Sequence, residues 1–406
     1  MKSRRNFLRN STFGIIGAGL SSFKAFENEA EDIKPILNKA SNPWLEISKK
    51  AYLSNVESIY KFSGNTPVLA VLKNNAYGIG DIQVATILDE SPFLSGIALV
   101  KDTRCLALRK HGVKKPILLM GDFDLGLGSE LVANNITLSA FSHESCRKIK
   151  ELASKTQHRV SVELYFDTGL GRMGMPYQNN LDWVADLASI PNVKIEGLFS
   201  TLTTPTDFAK EQMERFNGLI SKLNEKGIKP NRQHMAPSLS LMELPQSHFN
   251  AVRPGILVHG SYPLGGMDFK DKMPLQPTYR LKAPVIRIEK LKKGDTIGFS
   301  RFYKVEKDEW IATLPVGWAD GYYSGAENGA KVLLNNKLFK VVNVNASHCN
   351  LSIGNEKLVD VGDVATLIGP DHEEITPEGF SRAASGHNYL QIQYKESLPK
   401  SVVNDF

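Results

Sequence analysis

The sequence predicts an α/β protein, a (β/α)8 barrel of the TIM type followed by a C-terminal, mainly β domain. Three observations carry this. Short apolar runs alternate with longer amphipathic segments from Trp44 to about residue 265. Strand-then-helix alternation of this kind builds a parallel sheet, and eight such units in roughly 220 residues fit a closed barrel. Near residue 270 the alternation gives way to strands and tight turns. The 406 residues, 42 % apolar and 23 % charged, suit a globular chain of more than one domain.

The strand-like segments of the barrel are Pro67–Leu72, Ser95–Val100, Pro116–Met120, Ile136–Phe141, Val160–Phe166, Val193–Phe199, Arg232–Ala236 and Val252–Val258. Between them lie helical patterns such as Ser48–Lys61, Asp102–His111, His143–Lys155 and Asp207–Lys226. An open doubly wound sheet is the alternative. The barrel domain is placed at 44–265 and the β domain at 270–400. In the latter, Lys282–Lys290, Glu309–Val316 and Leu358–Leu367 read as strands. Lys331–Leu334 and Leu338–Val344 flank a hairpin-like turn at Asn335-Asn336-Lys337.

Residues 1–30 read as an address. Ser3-Arg4-Arg5-Asn6-Phe7-Leu8-Arg9, followed by a weakly apolar run from Phe13 to Leu20, is similar to a twin-arginine signal peptide. The run is too short to span a bilayer. This predicts a periplasmic or otherwise exported protein, handed folded to the twin-arginine export machinery, and it hints at a cofactor bound before export. The net charge is +6, and half of that excess lies in the first thirty residues, which gives no case for a nucleic-acid partner. Cys105, Cys146 and Cys349 are odd in number and lack metal-ligand spacing, so they are read as structural and no metal is expected.

In a barrel, reactive groups project from the C-terminal ends of strands. The first strand ends in Leu72-Lys73-Asn74-Asn75-Ala76-Tyr77-Gly78. A lysine there can be desolvated, which lowers its pKa and frees its amine to form a Schiff base; the alternative is a simply solvated lysine, as most lysines after strands are.

The string Ala70 to Gly80 resembles the pyridoxal-phosphate motif of the alanine racemase family. Other elements of that family follow in order. Trp44-Leu45-Glu46-Ile47 with Asn55 is similar to its opening strand and helix, Asp167-Thr168-Gly169-Leu170-Gly171-Arg172-Met173-Gly174 to its Asp-Thr-Gly loop, and Val252-Arg253-Pro254-Gly255-Ile256 to its Val-Arg-Pro-Gly-Ile segment. Val316-Gly317-Trp318-Ala319-Asp320-Gly321-Tyr322 is similar to its β-domain motif. The resemblance implies pyridoxal 5'-phosphate as cofactor and an amino acid as substrate. Lys73 would carry the cofactor and act as one catalytic base. Tyr77, Ser238, Gly255, Ile256 and Tyr389 would bind its phosphate, and Arg172 would face its phenolic oxygen and the substrate carboxylate. Arg253 would donate to the pyridine nitrogen. Because arginine does not give up its proton, that nitrogen stays unprotonated and the electron sink is weakened. The resemblance also implies a head-to-tail homodimer in which the β domain of one chain completes the site of the other.

Several positions depart from the family pattern. Phe299 stands at the position of the catalytic tyrosine, within Thr296-Ile297-Gly298-Phe299-Ser300. Thr201 replaces a histidine that packs on the pyridine ring, Ala346-Ser347 a Met-Asp pair, Tyr165 a lysine carbamylated in some members, and Trp318 a gate tyrosine. Strand alternation would put Arg301 and Tyr303 on the face of Phe299, so Tyr303 is the nearest substitute for the missing base, followed by His348, Tyr322 and Tyr323. The resulting expectation is an exported pyridoxal-phosphate-dependent racemase with an altered second base. The alternatives are a one-base enzyme of elimination or aldol type on the same cofactor, and a non-catalytic homologue that binds it.

Overall fold

The computed structural model describes residues 41–204, 207–263, 267–386 and 393–406. Chain segments 1–30 and Tyr389 lie outside the described residues. In chain order the first strands are β1 (Trp44–Ser48), β2 (Val68–Val71), β3 (Leu94–Leu99), β4 (Ile117–Leu119), β5 (Ile136–Ala140), β6 (Val160–Asp167), β7 (Met175–Pro176), β8 (Val193–Phe199) and β9 (Arg232–His234). All but β1 form a parallel sheet in the order β2-β3-β4-β5-β6-β8-β9, with β7 paired beside β6. The eighth predicted strand is reduced to its first residues. Val252 bridges Val68, its carbonyl accepts from the Leu69 amide at 2.9 Å, and the Val71 amide donates to Pro254 at 2.9 Å. The Arg253 amide donates to Ala236 on the other side at 3.0 Å. These bonds join the two ends of the sheet, so the barrel closes. From Ile256 the chain coils into a short turn, Ile256–His259, instead of continuing as strand.

The strands are apolar on both faces because both are covered. Leu69, Val71, Ala98, Leu118, Tyr165 and Phe199 pack inside the barrel, and the larger cluster holds the helices outside. Helix ends follow local chemistry. Ser48 caps the helix Lys49–Phe62 by accepting from the Ala51 amide at 3.1 Å. Ser142 and Ser145 form a reciprocal capping box at the start of His143–Lys155. Within the first helix, Asn55 exchanges two hydrogen bonds of 2.8 Å with the Gln276 backbone, tying the barrel to the segment that leads out of it.

The second sheet contains β10 (Tyr279–Pro284), β11 (Arg287–Leu291), β14 (Glu309–Leu314), β15 (Lys331–Leu334), β16 (Lys337–Val344), β17 (Cys349–Gly354), β18 (Val364–Ile368) and β19 (Lys400–Val403), in the order β11-β14-β17-β16-β15-β18-β10-β1-β19. β1 therefore belongs to this sheet, lying between β10 and β19, although by sequence it opens the barrel span. The predicted strand Lys282–Lys290 is two strands, and Leu358–Leu367 is strand only from Val364. The hairpin at Asn335-Asn336 is a two-residue turn with both residues at positive φ, 49° and 59°, a geometry that asparagine tolerates.

The segment around Phe299 differs from its expected strand. Only Thr296–Ile297 (β12) and Tyr303–Lys304 (β13) pair. Gly298 and Arg301 turn the chain at φ 78° and 53°, so residues 298–302 are a hairpin loop and the alternation argument does not reach Phe299. All three cysteines are buried and unpaired.

Candidate active site

Lys73 follows β2 at the C-terminal mouth of the barrel. The next four residues, Asn74 to Tyr77, all take left-handed backbone angles, with φ between 49° and 57°. A left-handed turn is costly for residues with a Cβ, and asparagine bears it best. The Asn75 side chain steadies the turn by accepting from the Asp81 amide at 3.0 Å. The turn brings Tyr77 back beside Lys73, whose Nζ lies 5.7 Å from the Tyr77 ring centre. Burial lowers the pKa of Lys73, and the nearby Arg172 and Arg253 guanidinium groups lower it further. Its charged neighbours are thus both cations, the setting in which a lysine becomes a usable amine.

Tyr77 reaches the Gly255 backbone. A Cβ on Gly255 would overlap the Tyr77 hydroxyl, so any larger residue there would have to displace the Tyr77 ring. Ser238 Oγ accepts from the Gly255 amide at 3.0 Å. Ser240, nearby in the same wall, has a buried Oγ with no hydrogen-bond partner among the described residues. Tyr77, Ser238, Gly255 and Ile256 thus line one end of a cavity of about 750 Å³ that opens on Lys73.

Arg253 is buried and held through both terminal nitrogens. Its Nη2 donates to the Ser200 carbonyl at 2.7 Å and to Thr201 Oγ1 at 2.8 Å. Its Nη1 lies 2.6 Å from His234 Nδ1, and His234 Nε2 lies 2.7 Å from Glu163. Burial brings the Arg253 pKa down to about 10, against the pull of Tyr165 and Glu163, so it keeps its proton at neutral pH. Arg172 sits on the exposed loop between β6 and β7. The Asp167 carboxylate shapes that loop by accepting from the Gly169 and Gly171 amides at 2.8 and 2.9 Å.

The structure therefore gathers Lys73, Tyr77, Arg172, Ser238, Arg253, Gly255 and Ile256 around one cavity. It does not bring Phe299 there within the same chain. Phe299 lines a separate groove of about 580 Å³ on the β domain, together with Phe302, Trp318 and Ala346. Phe299 is 98 % exposed, Phe302 88 % and Trp318 57 %. The other stand-ins also point elsewhere. Tyr303 donates to Glu309 at 2.7 Å, and burial together with that carboxylate pushes its pKa to about 12. Tyr322 is buried against Phe380, and exposed His348 meets Ser347.

The alanine racemase N-terminal domain family matches residues 47–263, and the alanine racemase C-terminal domain family matches residues 278–398. The chain belongs to the alanine racemase family. It is 32 % identical to alanine racemase 1 of Clostridium acetobutylicum over 356 residues, covering 86 % of this chain and 92 % of that protein. It superposes on the alanine racemase of Clostridium difficile 630 with a TM-score of 0.81 at 26 % identity, over 89 % of this chain and 96 % of the other. The histidine racemase of Leuconostoc mesenteroides subsp. sake shares the fold, with a TM-score of 0.81 at 24 % identity, over 89 % and 98 % of the two chains.

Within this alanine racemase fold, the sequence reading missed Glu163 and His234. Both are fully buried, and Arg232 closes the chain of contacts at 3.1 Å from Glu163. A signal was present: a glutamate inside the apolar strand Val160–Phe166, and a histidine inside Arg232–Ala236. Buried charges on inward strand positions require partners, and these are each other's.

Proposed function

We propose that the protein is a pyridoxal-phosphate-dependent amino-acid racemase, exported through a twin-arginine signal and completed by a second copy of itself. The observation that carries this is Lys73, desolvated between two arginines at the open end of a cavity whose other end is the Tyr77–Ser238–Gly255 cradle. The residues fit the cofactor. The close approach at Gly255 and the unpartnered Ser240 hydroxyl suit a phosphate held by neutral donors, for which Tyr77, Ser238, Gly255 and Ile256 are the holders.

Bound there, pyridoxal phosphate supplies the electron-withdrawing ring that acidifies a substrate Cα–H bond. The protein's part is positional. Lys73 anchors the cofactor and then moves a proton at its Nζ. Arg253, fixed by His234, Ser200 and Thr201, presents a proton it retains to the ring nitrogen. Thr201, at the position of the family's histidine, is occupied in orienting Arg253. Arg172 offers a guanidinium to the substrate carboxylate.

The second copy is inferred from the separation of Phe299, Ala346 and Trp318 from Lys73. These positions, altered relative to the family pattern, share one exposed groove that a partner's barrel would cover. A one-base reaction of elimination or aldol type is the second reading, favoured by the lack of a hydroxyl at Phe299.

Borohydride reduction of the loaded protein, followed by peptide mapping, should place the label on Lys73. A protein that takes up no pyridoxal phosphate, with Lys73 intact, defeats the assignment. Replacing Arg4-Arg5 by Lys-Lys should hold the protein in the cytoplasm, and unchanged export would refute the signal.

A further inference from the structure

We propose that Tyr165 is the second proton-carrying residue of the Lys73 cavity, supplied by the same chain from the opposite barrel wall. The inference rests on the racemase reading above and deepens it.

Elimination narrows the candidates in the cavity wall. Arg172 and Arg253 keep their protons. Serine and threonine hydroxyls need an adjacent base to exchange theirs, and among the described residues no carboxylate or histidine lines the cavity. Tyr77 is seated against Gly255 on the Lys73 side. Among the described residues of the wall, Tyr165 is the remaining phenol.

Its placement suits the task. β2 and β6 are the first and fifth strands of an eight-unit barrel, so Lys73 and Tyr165 rise from facing walls. Glu163 and Tyr165 are two residues apart on β6 and share the inward face. Glu163 lies a layer down with His234, and Tyr165 lies above it at the mouth. Tyr165 is only 4 % exposed and belongs to the inner cluster that includes Val71, two residues before Lys73. Its ring stacks on Phe199 at 4.2 Å, and Phe199 stacks on His234 at 5.0 Å. The Arg253 guanidinium covers Phe199 at 5.3 Å. This stack fixes the ring, while the hydroxyl makes no hydrogen bond among the described residues. Arg253 also feels Tyr165 as a charge partner.

The proton balance is simple. Lys73 Nζ takes the Cα proton on its own face, and the Tyr165 hydroxyl gives its proton to Cα on the opposite face. The electron pair of the broken C–H bond returns in the new one. Lysine ends protonated and tyrosine ionised, and solvent resets both. The reverse reaction exchanges the roles.

Two measurements test this on the full-length protein loaded with pyridoxal phosphate, comparing wild type with Tyr165→Phe, which keeps the stack. The first is solvent-deuterium exchange at Cα of L- and D-alanine. The variant should lose exchange from one enantiomer by about 10²–10⁴-fold and retain it from the other. Equal loss from both, or from neither, overturns the proposal. The second needs no turnover. In borohydride-reduced protein, the tyrosinate absorbance is titrated and compared with that of the empty protein. Wild type should show one more shifting tyrosine on loading than Tyr165→Phe, since Tyr77 at the phosphate end can shift in both, and the same shift in both proteins overturns the assignment. If wild type binds no pyridoxal phosphate, the racemase reading itself falls and Tyr165 with it. If it binds the cofactor and Tyr165→Phe changes nothing, only Tyr165 falls.

Discussion

Arg253 Nη1 lies 2.6 Å from Nδ1 of His234, and this contact settles the histidine's tautomer. Arginine only donates, so Nδ1 accepts and the ring proton sits on Nε2, facing Glu163 at 2.7 Å. Burial holds His234 neutral, with its pKa lowered to about 4 despite the neighbouring carboxylate. Burial opposes ionisation of Glu163 as well, but His234, Arg232 and Arg253 outweigh it and keep the carboxylate pKa below its ordinary value. The barrel axis thus carries an ordered line from Arg232 through Glu163 and His234 to Arg253, ending at the cavity.

Removing the middle of that line should be expensive. Glu163→Ala strands a buried histidine and leaves Arg232 without its partner. A loss of about 3–5 kcal/mol in urea denaturation is expected, the range for breaking a buried pair from one side. Glu163→Gln should lose less, because its amide oxygen still accepts from one of the two donors, which in wild type bond separate carboxylate oxygens. Equal stability of the alanine variant and wild type would contradict the network.

Acid should weaken the fold in a defined window. His234 and His259 are both buried, with pKa values lowered to about 4 and about 3. An unfolded histidine titrates near 6.5, so between that pH and the folded pKa the unfolded chain binds more protons. The stability due to neutral burial is therefore complete above pH ~6.5 and is lost as pH falls towards 4, by on the order of 3 kcal/mol for His234. Denaturation curves at a series of pH values should show this slope, and His234→Asn should flatten part of it. A flat profile between pH 7 and 4.5 would contradict the buried neutral histidines.

How far the sequence was legible follows from range. Period-2 and period-3.6 patterns are local, so the first seven barrel strands and the helix His143–Lys155 were readable to within a residue or two, whereas the eighth, Val252–Val258, keeps only its first residues. β1 was not, because whether a five-residue apolar strand joins one sheet or the other depends on partners 235 and 355 residues away, β10 and β19. The strand register expected around Phe299 failed for a different reason. A glycine and an arginine at positive φ turned an apparent strand into a loop, and the short run Thr296 to Tyr303 carries too few alternations to exclude that. Lys73, Arg253 and Gly255 were legible through their motifs, whereas the line from Glu163 to His234 joins two strands and is visible only in three dimensions.

Gly255→Ala tests the cradle. The added methyl would meet the Tyr77 hydroxyl, so Tyr77 must swing away from the phosphate end. Loss of a hydrogen bond to a charged group is worth about 1.5–3 kcal/mol, which corresponds to a roughly 10–100-fold weaker affinity for pyridoxal phosphate, read by fluorescence titration of the empty protein. Adding Tyr77→Phe to Gly255→Ala should cost little more, since the contact is already lost. Full additivity of the two would show that Tyr77 and Gly255 act separately.

The aromatic hairpin tests the second copy. Phe299 and Phe302 are almost wholly exposed on a loop held by only two pairs of strand residues. Each phenylalanine can bury about 150–250 Å². Across a two-fold axis each copy contributes both rings, so the four together remove roughly 600–1,000 Å² from water, a large share of the ~1,600 Å² of a standard interface. Charges there would oppose that burial. Phe299→Asp with Phe302→Asp should therefore shift sedimentation from dimer towards monomer, while urea stability of the single chain changes little because neither ring packs in the core. If the pair of substitutions leaves a dimer intact, the dimer forms elsewhere; if wild type is a monomer at tens of micromolar, the groove has no second copy to cover it. Phe299→Tyr separates docking from chemistry. Should a partner's hairpin reach the Lys73 cavity, the new hydroxyl in a Tyr165→Phe background restores part of the deuterium exchange lost from one enantiomer. No recovery, with the dimer retained, means that the hairpin docks without approaching Cα.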